Sequence, residues 1–232
     1  MKKIILMMLI LLSVSANAQK DVTKFLGIPV DGYKTEMKKK LIDKGFTYDA
    51  KNDRFEGEFN GQNVYVYIVT NNNKVWRIMV RDANAVGEAD IKIRFNKLCD
   101  QFRRNENYVA ASLKEYTLSE DEDISYEIIV NKKRYEACYY QKSDPEAIDT
   151  LAIQKRIKDA LLREYTQEQI DNPTEEQAQS IHRLMEMQLM DIAWELMEKK
   201  SVWFMIYELR YGRYFITMFY DNEYNHSDGE DL

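Results

Sequence analysis

The sequence predicts an α+β protein. Three patterns carry that reading. Short segments alternate apolar and polar residues and are separated by Asn- and Gly-bearing turns. Two stretches place apolar residues at helical spacing. A long, nearly strand-free stretch interrupts the second half of the chain.

The elements follow in order. Lys2 and Lys3 precede an unbroken apolar run, Ile4 to Leu12, and Ala16-Asn17-Ala18 supplies small residues at a cleavage position. Charged start, apolar middle and A-x-A end are the parts of a secretory signal peptide. The run is well short of the ~20 residues that span a bilayer. The expectation is a leader at 1–18, a chain beginning at Gln19, and a periplasmic or secreted destination. No transmembrane segment is expected in the mature chain.

Asp31-Gly32 opens a helix that runs to about Lys44, with Met37 and Leu41 on its buried face and Gly45 closing it. Strands follow at Arg54 to Asn60, Asn63 to Thr70 and Lys74 to Asp82, with Asn60-Gly61 as a hairpin turn. A second helix covers Glu88 to Arg104, where Ile91, Phe95, Leu98 and Phe102 form one stripe. Further strands are expected at Ser112 to Leu118, Ile124 to Asn131 and Arg134 to Gln141. Ser143 to Lys200 reads as helical, broken at Asn172-Pro173, with Asn172 as the cap of the next helix. Val202 to Arg210 and Arg213 to Asp221 form a closing hairpin about Tyr211-Gly212.

Laid side by side, the two halves suggest a repeat. Asn60 set opposite Asn131 brings Val64, Val66 and Ile68 against Tyr135, Ala137 and Tyr139, and Val75-Trp76 against Val202-Trp203. The expected organisation is a tandem pair of helix-plus-antiparallel-meander units, 19–86 and 87–222. The second carries a helical insertion at about 143–200 in place of the turn Asn71-Asn72-Asn73. An acidic tail covers 223–232.

The whole chain carries a net charge of −6, and losing two leader lysines makes it more acidic. That balance argues against nucleic acid as a partner and favours protein. Sixteen tyrosines are the compositional signature, and tyrosine suits surfaces that are both wet and adhesive. Tyr65 and Tyr67 share the outer side of their strand, opposite Val64 and Val66. Tyr214 and Tyr220 lie on one side of the last strand, with Phe215 and Phe219 on the other. Tyr65, Tyr67, Tyr214 and Tyr220 are the candidate binding residues. The outer sheet face is either covered by the helical insertion or open as a tyrosine-rich platform.

Other groups carry less. Cys99 and Cys138 are the only cysteines, and the repeat puts them on opposite sides of the sheet, against pairing. His182 and His226 lack metal-site spacing. The acidic run Glu120 to Asp123 lacks the glycine of a calcium loop and reads as a solvated turn. The Met-rich stretch Ile181 to Met197 reads as a helix buried on two sides, or as an adaptable binding surface. No catalytic motif, metal site or cofactor is expected.

Three stretches together resemble a family of uncharacterised exported proteins of Gram-negative anaerobes. They are Phe25-Leu26-Gly27-Ile28-Pro29-Val30-Asp31-Gly32 leading to Lys44-Gly45-Phe46; Asn131-Lys132-Lys133-Arg134-Tyr135-Glu136-Ala137; and Val202-Trp203-Phe204-Met205-Ile206 with Tyr220-Asp221-Asn222-Glu223-Tyr224-Asn225. The resemblance implies export and carries over no catalytic residue. The helix-then-meander outline is also similar to the β-lactamase inhibitor protein and to small outer-membrane assembly lipoproteins, a likeness of fold only. The expectation is a non-catalytic binding or inhibitor-like module outside the cytoplasm. An envelope-assembly or structural accessory protein is the alternative, and an enzyme acting on glycans comes third.

Overall fold

The structure is a computed structural model and describes residues 21–226. The expected leader and residues 227–232 of the tail lie outside the described residues. The fold is α+β, with six α-helices and one large antiparallel sheet among the described residues. No helix there is long and apolar enough to cross a membrane. The chain divides into two compact units. The sheet unit holds residues 22–142 and 198–226; the helical unit holds Asp21 and residues 143–197.

The sheet unit opens with a two-residue hairpin, β1 (Lys24–Phe25) and β2 (Ile28–Pro29). Helix α1 (Lys34–Asp43) buries Met37 and Leu41 and stops at Gly45, whose φ of 93° disfavours any residue with a Cβ. β3 (Thr47–Asp49), β4 (Arg54–Phe59), β5 (Gln62–Asn71) and β6 (Lys74–Asp82) follow. Asn60 and Gly61 both take positive φ, as a tight hairpin requires. Helix α2 (Glu88–Arg104) lays Ile91, Phe95, Leu98 and Phe102 into the core, as its spacing predicts. After it come β7 (Tyr108–Ala110), the short helix α3 (Ile124–Ile129), β8 (Glu136–Gln141), β9 (Ser201–Arg210) and β10 (Arg213–Asp221).

The strand order is β3-β4-β5-β6-β10-β9-β8-β7. The core forms where α1, α2 and Ile124 of α3 meet Val64, Val66, Ile78, Val80, Phe204 and Ile216 of the sheet. Arg94 of α2 clamps buried Asp82 of β6 through two hydrogen bonds of 2.8 and 2.7 Å, and Ile216 N–H donates to the same carboxylate. Helix and central strands are thereby tied by charge as well as by packing.

Three expectations about the strands need correction. Ile124 to Asn131 is not a strand. Asp123 accepts the N–H of Tyr126 and caps α3, and its β-branched residues are set one turn apart, with Ile124 buried and Ile128 packed on the core. Ser112 to Leu118 forms no strand; it is held by side chains, Asn96 pairing with the Leu118 backbone in both directions. The expected equivalence of Val75-Trp76 with Val202-Trp203 is not met. β6 and β9 both flank β10, so Val75-Trp76 and Val202-Trp203 do not hold equivalent places counted from the sheet centre.

The helical unit contains α4 (Thr150–Glu164), α5 (Gln167–Asp171) and α6 (Glu175–Glu198). Asn172 does not cap α6. Thr174 does: its hydroxyl accepts from Gln177 N–H at 3.3 Å, and Gln177 returns to Thr174 N–H at 3.0 Å. Leu161, Ile181 and Ile192 are its buried apolar residues, whereas Met187 and Met190 are 59% and 72% exposed. α6 is therefore not buried on two sides.

Candidate binding face

Alternation divides the sheet into two faces. The core face carries Val64, Val66, Ile78, Phe204, Ile216 and Tyr139, all buried beneath α1 and α2. On the opposite, outer face the register aligns Tyr65, Arg81, Thr217, Met205 and Glu136 in one row. Tyr67, Met79, Phe219, Trp203 and Cys138 form the next.

Tyr65 and Tyr67 sit on this outer face, partly exposed. Tyr214 and Tyr220 do not. They are 0% and 4% exposed on the core face, so they are core residues and not binding residues. Tyr214 exchanges a 2.6 Å hydrogen bond with Ser125, which also bonds Glu88. The Tyr220 ring lies 4.9 Å from that of Phe25, and burial raises its phenol. Alternation within β10 sets Tyr214 and Tyr220 apart from Phe215 and Phe219. Which side of β10 meets the helices is set by its pairing with β6, a long-range contact.

The outer face is a layer of aromatic rings crossed by guanidinium groups. Arg54 lies 3.7 Å above the Tyr65 ring. Trp203 and Phe219 stack at 4.0 Å, with Arg77 over Phe219 at 4.8 Å. Arg81 lies 4.2 Å from the Phe215 ring, which stacks on Tyr207. Each such cation–ring contact contributes about 0.5–2 kcal/mol according to its desolvation.

The arginines differ in what else they meet. Arg77 grips Asp221 side-on, Nε to Oδ1 at 2.6 Å and Nη2 to Oδ2 at 2.7 Å, and Trp203 Nε1–H donates to the same carboxylate at 2.9 Å. Arg54 pairs with Glu56 at 2.7 Å. Arg134 pairs with Glu136 at 2.9 Å. Arg81 has no carboxylate partner among the described residues, and its buried Nε–H has no acceptor. Arg54 Nε also makes no hydrogen bond, but it has the Asp49 carboxylate 3.4 Å away. A buried donor without a partner costs about 1–3 kcal/mol. The sequence places Arg77, Met79 and Arg81 on one side of β6, but Arg81's lack of a partner depends on Thr217 standing opposite it, which only the register reveals.

Both thiols are free. Cys99 lies on α2 in the core, and Cys138 stands beside Trp203 on the outer face. Burial pushes each thiol up to about 11, which makes both poor nucleophiles. His182 pairs with Glu186 at 3.1 Å, and His226 packs on Trp76 with ring centroids 4.6 Å apart. Within the acidic run, Asp123 caps α3, and Glu122 bonds Lys133 and Tyr135. Among the described residues no group of His, Cys, Asp and Glu is arranged to hold a metal ion. A groove of about 540 Å³ between α4 and α6 is lined by Lys155, Arg156, Asp159, Arg163 and Asp191, a mixed-charge helix surface.

Residues 25–32, 202–206 and 220–225 converge in space. The Phe25 ring packs tilted against Tyr220, Asn222 donates to Val30 O at 2.7 Å, Asn225 donates to Asp31 at 2.7 Å, and Trp203 donates to Asp221. Their shared job is to lock the start of the described chain to its last strand. Comparison with family models, curated proteins and solved structures finds no match to this chain.

Proposed function

We propose that this chain is an exported, non-catalytic binding protein that holds a protein partner on the outer face of its sheet. One observation carries the reading. That face combines partly exposed aromatic side chains with Arg81, an arginine without a carboxylate partner among the described residues. Aromatic residues and arginine are the types that dominate binding energy at protein interfaces. The leader read at 1–18 and the resemblance to exported proteins support a place outside the cytoplasm. The order in which the last strand of each half pairs at the sheet centre supports a duplicated helix-plus-strands unit beneath the binding face.

Affinity capture from an envelope extract tests this reading. The wild-type chain is expected to retain one protein in stoichiometric amount, and Tyr67→Ala with Phe215→Ala to lose it. Capture unchanged by those substitutions overturns the assignment to this face. A second reading, an envelope-assembly or structural accessory protein, is supported by the exposed apolar side chains of α6, Met187 and Met190.

A further inference from the structure

We infer that Arg81 is the anchor for a carboxylate side chain on the protein partner, so that the outer face selects an acidic polypeptide segment. The inference rests on the binding-face reading and adds the chemistry of what is bound.

The protein contains its own template for such a contact. Arg77 and Arg81 stand on the same side of β6, four residues apart. Arg77 faces Asp221 across the β6–β10 pair, and its Nε–Nη edge is filled by that carboxylate. Arg94 uses the same edge on Asp82. Arg81 faces Thr217 at the corresponding cross-strand place. Threonine offers one hydroxyl oxygen where Arg77 meets two charged oxygens, so among the described residues no carboxylate meets Arg81; its Nε–H is buried, which leaves the Nη groups to meet a partner.

Its surroundings favour a carboxylate as the filling group. Phe215 covers one side of the guanidinium, and Tyr65 and Thr217 flank it in register. A planar fork set among rings gives a bidentate, charge-assisted bond that a neutral amide cannot reproduce. Glu56, which lies beyond Tyr65 on β4, is already held by Arg54. The mature chain is acidic overall, so an arginine with no carboxylate among the described residues, set on an aromatic field, stands out as a local complement to an acidic segment.

The test uses a ten-residue peptide alternating Glu with Val and Tyr, and its counterpart with Gln for each Glu, titrated into the full mature chain. The arginine Nε–H resonances are followed by NMR. The Arg81 signal is expected to move with the Glu peptide while that of Arg77, already paired, stays in place. The Gln peptide, and the Arg81→Gln variant with the Glu peptide, are each expected to bind at least about tenfold more weakly. Thr217→Asp, which supplies the missing carboxylate from within, is expected to block the site to a similar degree. Absence of an Arg81 response up to about 5 mM peptide, equal binding of the two peptides, or unchanged affinity of Arg81→Gln overturns the inference. The two levels separate in the capture experiment. A partner retained by Arg81→Gln but lost by Tyr67→Ala with Phe215→Ala removes the carboxylate anchor alone. A partner retained by every one of these variants removes the binding face as well.

Discussion

Arg77 holds Asp221 by two parallel hydrogen bonds across the central strand pair, and Asp221 is almost wholly buried while Arg77 keeps an edge in solvent. Three donors converge on this one carboxylate, counting the indole of Trp203. Asp221→Asn removes the charge and keeps the shape. The substitution is expected to lower unfolding free energy by about 2–4 kcal/mol, because a half-broken buried pair leaves an uncompensated charge. Urea denaturation checks it through a lower midpoint at unchanged slope.

The two sets of tyrosines are expected to part company on substitution. Tyr214→Ala and Tyr220→Ala each empty a packed site in the core and should cost about 3–5 kcal/mol. Tyr65→Ala removes a partly exposed ring and one arginine contact, and should cost less than about 1.5 kcal/mol. Thermal melts of the three variants give the ordering.

The thiols make stability fall at high pH. Burial raises both Cys99 and Cys138 to about 11, whereas an unfolded thiol ionises near 8.5. Between those values the unfolded chain has lost protons that the folded chain retains. Each thiol's contribution is therefore full below about pH 8.5 and declines as pH rises towards 11. Comparing the stability–pH curves of wild type and Cys138→Ala checks the sign, since the variant should lose less over that window. With the two residues on opposite faces of the sheet, oxidising conditions should yield no intramolecular disulfide by non-reducing mass spectrometry.

Asp53 behaves in the opposite sense. Hydrogen bonds from Lys34, Tyr48 and Lys38 hold its carboxyl well below the usual range. Its contribution is present above the unfolded value of about 3.9 and is lost as pH falls towards its folded value. Asp53→Asn should be less stable than wild type at neutral pH by under about 1 kcal/mol, since the cluster is exposed. That gap should narrow below about pH 4.

Much of the sheet unit is legible locally. α2 follows from the stripe of Ile91, Phe95, Leu98 and Phe102, and the last hairpin from its alternation and from Gly212, which takes positive φ. Local pattern fails at Ile124 to Ile129, where Asp123 and core packing override a β-branched composition. The candidate face is half legible. Tyr65 and Tyr67 follow from alternation within one strand, but Tyr214 and Tyr220 need the pairing of β10 with β6, two strands far apart in the chain. Arg81 is invisible for the same reason: its missing partner is a fact about Thr217, not about its own neighbours.

Hydroxyl-radical footprinting of the chain with its captured partner shows whether the outer sheet face is the surface that binds. Met79, Tyr65, Tyr67 and Phe215 are predicted to lose labelling on binding, while exposed Met187 and Met190 of α6 label as before. Protection of Met187 and Met190 with an unchanged outer face would instead place the partner on α6.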